Sequence, residues 1–155
     1  MPLSGATLTN VSQAKNAAVL KTRGEHVTDE GTNKGTWLPT ACTDLFLNSP
    51  LGRTGASLLG NYIVYRDGTG VKDAAGVDVC GSNTVAAWTK CCEHDPVVFI
   101  CPSRFNSSSA SDRVKYLIHE ALHVGGQSED KNGSVGPDDP PNSTNINDIV
   151  DAACN

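Results

Sequence analysis

One stretch limits the possible folds more than any other. "SDRVKYLIHEALHVGG", Ser111 to Gly126, places Val114, Leu117, Ile118, Ala121 and Leu122 at i, i+3, i+4, i+7 and i+8. That is one apolar stripe along a helix of 3.6 residues per turn, and a stripe this wide has to be buried against a core. Ser109 or Ser111 can cap its start, and Asp112 suits the positive end of the helix dipole. Gly125-Gly126 ends it. The rest of the chain has to pack around this element.

The other side of the same helix carries chemistry. His119 and His123 stand four residues apart, about 400° of helical rotation, so both imidazoles project together one turn apart. Two imidazoles so placed can hold one tetrahedral Zn2+ at about 2.0–2.1 Å. Glu120 is turned about 100° away, which spares it from ligation. It can instead serve as general base for a water at the metal. A core helix with two incidental histidines is the plainer reading. Only four histidines occur in the whole chain, and from Tyr116 to Gly126 the one formal charge is Glu120. Both facts favour the metal site.

At 155 residues the chain suits a single domain, residues 1–155, with a core of its own. Aromatics are 5%, which leaves that core to Val, Ile, Leu and Ala. A net charge of −5 without a basic cluster argues against nucleic acid. No apolar run approaches the ~20 residues needed to cross a bilayer. Six cysteines, at 42, 80, 91, 92, 101 and 154, include no C-x-x-C pair. Three disulfides in an oxidising compartment are therefore expected, not a cysteine zinc ribbon. Adjacent Cys91 and Cys92 are expected to take different partners, because a vicinal bridge strains the peptide bond between them. "MPLSGATLTN" has no signal-peptide core, so a secreted or periplasmic protein would have lost its targeting segment.

Shorter signals fill in the rest. Residues 9–26 read as a short helix or a strand. Thr40 can cap a short helix reaching Leu47, stopped by Asn48-Ser49-Pro50. Tyr62 to Tyr65 is β-prone and closed by Asp67-Gly68; Val97 to Cys101 is β-prone and closed by Pro102; Val85 to Thr89 is a further candidate strand. Residues 127–142 read as a loop. A last helix, capped by Ser143 or Thr144, puts Ile146, Ile149, Val150 and Ala153 on one side. Cys154 falls on that side and is placed to tie the helix down. The fold class is α+β, a small mixed sheet packed on the histidine helix and stapled by disulfides.

"HEALH" resembles the active helix of zincin metallopeptidases. "CGSNTVAAWTKCCEHDPVVFICPSRF" followed by "LIHEALH" is similar in layout to deuterolysin-like (aspzincin) peptidases. There a cysteine, a short aromatic-Thr stretch, a strand ending in Cys-Pro and a phenylalanine precede the histidine helix. The likeness spans Cys80 to Asp130, about a third of the chain. It implies a zincin-like domain and a Cys80–Cys101 disulfide. It also implies that Val97 to Cys101 borders the cleft and takes an extended peptide as a further strand.

The third ligand follows a second likeness. "HEALHVGGQSE" resembles the metzincin H-E-x-x-H-x-x-G-x-x-H, with Gly126 in the glycine place and Glu129 in the last ligand place. In that pattern the glycine lets the chain turn sharply back to the metal. A carboxylate completes a site of two histidines and one carboxylate. The metzincin methionine turn has no counterpart, since Met1 is the one methionine, and the aspzincin G-T-x-x-D is absent. Asp130, Asp138, Asp139, His94 and His26 stay open beside Glu129.

Together these likenesses imply a zinc-dependent metallopeptidase. One Zn2+ per chain would be held by His119, His123 and Glu129, with Glu120 as the base. It would act as a monomer on a peptide or protein substrate, with no nucleic-acid or membrane partner. Two alternatives use the same residues: a zinc amidase acting on cell-wall peptides, and a non-catalytic secreted, disulfide-rich domain that binds zinc. His94, Tyr116, Tyr62 and Tyr65 could each stabilise an oxyanion, although a loop histidine and aromatic packing are their plainer roles.

Overall fold

The first helix shows why two helices can lie close together here. α1 (Gly5–Arg23) buries Thr7, Val11, Ala14, Ala18 and Thr22. All five are small or β-branched, so a neighbour can approach the backbone. The buried Thr22 hydroxyl is satisfied locally by the Ala18 carbonyl at 2.8 Å. Residues 9–23 are therefore helix, not strand. The computed structural model describes residues 1–28, 35–47, 49–82, 84–90, 95–126, 128–129, 135–136 and 143–155.

An antiparallel ribbon follows, β1 (Glu25–Thr28) with β2 (Gly35–Leu38), in the register Glu25↔Leu38. α2 (Ala41–Asp44) starts as expected at Thr40, in a capping box completed by Thr43. It stops three residues short of Leu47, continuing only as turn. α3 (Gly55–Ser57) runs into a π-helical turn, Leu58–Tyr62, which buries Leu58 and Leu59. The Ile63 N–H donates to the Leu58 carbonyl at 2.8 Å, an i+5 bond that keeps Tyr62 helical. The strand expected at Tyr62 to Tyr65 consequently begins two residues later.

The main sheet holds β3 (Val64–Asp67), β4 (Ala87–Trp88) and β5 (Val97–Ile100) in the order β3-β5-β4. β5 is central, parallel to β3 and antiparallel to β4. Its apolar run suits that place, with Val98 and Ile100 fully buried. Pro102 ends the strand by starting α4 (Pro102–Ser107). The Phe105 side chain of α4 has no exposure, a burial that stabilises by roughly 1.5–3 kcal/mol.

α5 (Ala110–Val124) is the predicted histidine helix. Ser109 caps it, its hydroxyl accepting from the Asp112 N–H at 3.1 Å. Every member of the predicted stripe is buried, and α5 packs along α1, α6 and the π-helical turn. At its end a Cβ on Gly125 would stand 2.5 Å from Ser49 Oγ. The Gly125 carbonyl accepts from the Ser49 hydroxyl at 2.6 Å and from the Leu51 N–H at 3.1 Å. Gly126 takes a φ of 96°, the turn that only glycine makes freely.

Two short strands, β6 (Ser128–Glu129) and β7 (Val135–Gly136), pair antiparallel within the segment read as loop. α6 (Ser143–Cys154) closes the chain. The fold is thus α+β with small sheets. Cys80–Cys101 is bonded, as the aspzincin likeness implied, and Cys42–Cys154 ties α6 to α2. These four cysteines bond one another, so the expectation that Cys91 and Cys92 pair with two different partners within the chain does not hold. Cys91 and Cys92 lie outside the described residues. Among the described residues no helix is long and apolar enough to cross a membrane.

Candidate metal centre

The second side of α5 is buried as well. His119, Glu120 and His123 are 7%, 7% and 8% exposed. Three adjacent polar side chains this deep require a purpose or a full set of partners. The two imidazoles converge: His119 Nε2 and His123 Nε2 stand 3.1 Å apart, with ring planes at 60°. Two nitrogens bound to one tetrahedral zinc at about 2.0–2.1 Å stand about 3.3 Å apart. The separation observed here is close to that value.

The other nitrogen of His119 is engaged. Nδ1 lies 3.0 Å from Asn147 Oδ1, brought in by α6. A carbonyl oxygen can only accept, so Nδ1 is the donor in this bond.

Glu120 projects differently, as its rotation about the helix requires. With His119, Tyr116 and Asn147 it lines a cavity of about 110 Å3, whose far wall is Thr84, Val85, Ala86 and Ala87. Tyr116 thus reaches the site. Tyr62 and Tyr65 do not line this cavity. Tyr62 lies under the Arg53 guanidinium at 4.4 Å. Tyr65 donates to the Leu59 carbonyl at 2.8 Å, and burial pushes its phenol well above the usual range. Neither is placed to serve an oxyanion here. His26 sits in the ribbon with its ring 4.8 Å from Trp37.

The strand beside the cleft differs from the one expected. β5 has partners on both sides, so Val97 to Cys101 cannot take a further strand along its length. β4 is the edge. Ala86 gives its carbonyl to the Cys101 N–H at 2.9 Å, on the β5 side. Alternation along an antiparallel strand then turns the Ala87 N–H and C=O away from β5, and Ala87 is among the residues that line the cavity.

The residues expected as a third ligand fall mostly outside the described part of the chain. Glu129 lies in β6, opposite Val135, just beyond the Gly126 turn. The placement of its side chain falls outside what the structure describes, and Asp130, Asp138, Asp139 and His94 lie outside the described residues altogether. Among the described residues, no group of three His, Cys, Asp or Glu side chains gathers at one point.

Asn147 escaped the sequence reading; Val85 to Thr89 was read as a strand, realised as Ala87–Trp88, but not as a wall of the site. Asn147 did leave a trace: it stands at i−3 and i−7 from Val150 and Cys154, a polar amide in line with two buried residues. Residues 84–87 are ordinary in composition, and only sheet order makes them an edge. Comparison with protein-family models, curated proteins and solved structures finds no match to this chain.

Proposed function

We propose that this protein is a secreted or periplasmic zinc metallopeptidase of zincin-like architecture. The observation that carries the reading is the pair of buried imidazole nitrogens, 3.1 Å apart, beside a buried carboxylate on a cavity lined by Ala87 of β4. Two disulfides accord with an oxidising compartment.

His119 and His123 would hold the metal, with Glu129 as the proposed third ligand. When bound, zinc would supply Lewis acidity and a water acidic enough to lose its proton near neutral pH. Glu120 would take the proton from the attacking water and return it to the departing amine. Ala87, through its outward N–H and C=O, would pair with the backbone of an extended substrate and align the scissile carbonyl over Glu120. Burial of Glu120 sharpens its role by excluding competing bulk water. An edge that reads backbone suits peptides in general, and it favours a peptidase over a domain that merely binds zinc.

The test separates metal binding from chemistry. The purified protein is expected to hold one zinc per chain and to cleave an unfolded protein substrate until a chelator is added. Glu120→Gln is expected to keep the metal and lose about 10²–10⁴ in rate. His119→Ala is expected to lose both. Full zinc occupancy in His119→Ala, or wild-type turnover in Glu120→Gln, would end this reading.

A further inference from the structure

We propose that Asn147 is the positioning residue for His119, and that the Cys42–Cys154 bond keeps it there. Metal affinity on α5 would then depend on a disulfide at the far end of α6. The proposal rests on the metal reading above.

A neutral imidazole carries its proton on one nitrogen or the other. The tautomer protonated at Nε2 has no lone pair to offer at the point it shares with His123. Asn147 Oδ1, 3.0 Å from Nδ1, holds the proton at Nδ1 and aims the ring.

Asn147 is only as fixed as its helix. Asn147, Val150 and Cys154 follow one another at i, i+3 and i+7, so one side of α6 presents all three. Val150 and Cys154 are buried. The disulfide to Cys42 anchors the last turn. Lys21 Nζ donates to the Cys154 carbonyl at 2.8 Å, and Lys115 meets Asp151 at 3.5 Å. The covalent tie is the strongest of these. α6 also contacts β6, the strand that carries Glu129, so the same tie steadies both sides of the site.

Two readouts test this, and the first needs no metal. In zinc-free, 15N-labelled protein, imidazole nitrogen shifts are expected to show His119 protonated at Nδ1. Protonation at Nε2 would overturn the proposal. The second is zinc affinity, measured by competition with a chelator on variants that circular dichroism shows to be folded. Asn147→Leu is expected to bind about 10–100-fold more weakly. Asn147→Asp, which keeps an acceptor oxygen, is expected to stay within a few-fold of wild type. Equal loss in both, or in neither, would sink the positioning role. Cys42→Ser/Cys154→Ser is expected to weaken zinc in the same direction and to add little to Asn147→Leu. Unchanged affinity or full additivity would remove the latch. Should the cysteine variant unfold, Val150→Ala loosens the same helix without touching a cysteine, and it must shift affinity the same way. A wild-type protein that binds no zinc but keeps the Nδ1–H tautomer would show that the metal reading failed, not the hydrogen bond.

Discussion

α5 and α6 are both amphipathic helices that meet at His119, and they are held in different proportions by packing and by discrete links. α5 is packed along its length: its apolar stripe is fully buried, Ser109 caps one end, and Ser49 and Leu51 close the other. α6 buries Val150 in the same core and is tied besides by discrete links: the disulfide, Lys21 to the Cys154 carbonyl, Lys115 to Asp151 and Asn147 to His119. Packing spreads its energy over many contacts, so no one of them decides where His119 and His123 stand. A few links concentrate theirs, so each can be undone singly. His119 and His123, the proposed metal donors, stand on the first kind of support, and Asn147, proposed to orient one of them, on the second.

Leu122→Ala attacks the packed helix, and the largest loss of stability is expected there. A cavity beside His123 costs about 2–5 kcal/mol, read by urea denaturation. A loss below about 1 kcal/mol would mean that α5 is not held by packing, and the contrast would fail. Cys42→Ser attacks the tied helix. The bond closes a loop with a sequence separation of 112 residues, and its removal is expected to cost about 2–4 kcal/mol. Hydrogen exchange should then show α6 amides losing protection before those of α5. Equal loss along both helices would erase the distinction.

The smallest effect belongs to Lys115, which reaches from α5 to Asp151 on α6 and to Asp112 on its own helix, both at 3.5 Å. Burial works to lower its pKa, but the charges of Asp151 and then Asp112 outweigh it and raise the ammonium above its usual range. A raised lysine pKa stabilises the fold while the ammonium stays charged, so the contribution is complete at neutral pH. It fades as pH climbs past about 10.5 and through the raised value. Lys115→Met is expected to cost less than about 1 kcal/mol at pH 8. That difference should vanish in strong alkali; a difference that persists there would assign the effect to the aliphatic stem.

Much of the site's first layer was legible in the chain. The spacing of His119 and His123 fixes their convergence, because four residues of helix leave little angular choice. The stripe from Val114 to Leu122 dictated which side of α5 would meet the core. Cys154 announced a tie, though not its partner. The strand at Val97 was readable from its β-branched run, but its central place in the sheet was not. Pairing on both edges depends on where β3 and β4 arrive from elsewhere in the chain, and that shifted the cleft wall to residues 84–87.

By itself, then, the sequence determined what local geometry can carry: the helix, its caps and glycine stop, the imidazole pair, and the direction in which Glu120 must point. Helical rotation and hydrogen-bond periodicity act over a few residues, so a few residues suffice to read them. Only the tertiary structure decided which strand lines the cavity beside His119 and Glu120, that Cys42 receives Cys154, and that Asn147 meets His119 from 28 residues away. Those contacts join segments whose sequences say nothing of one another, and burial of the shared core is what brings them together.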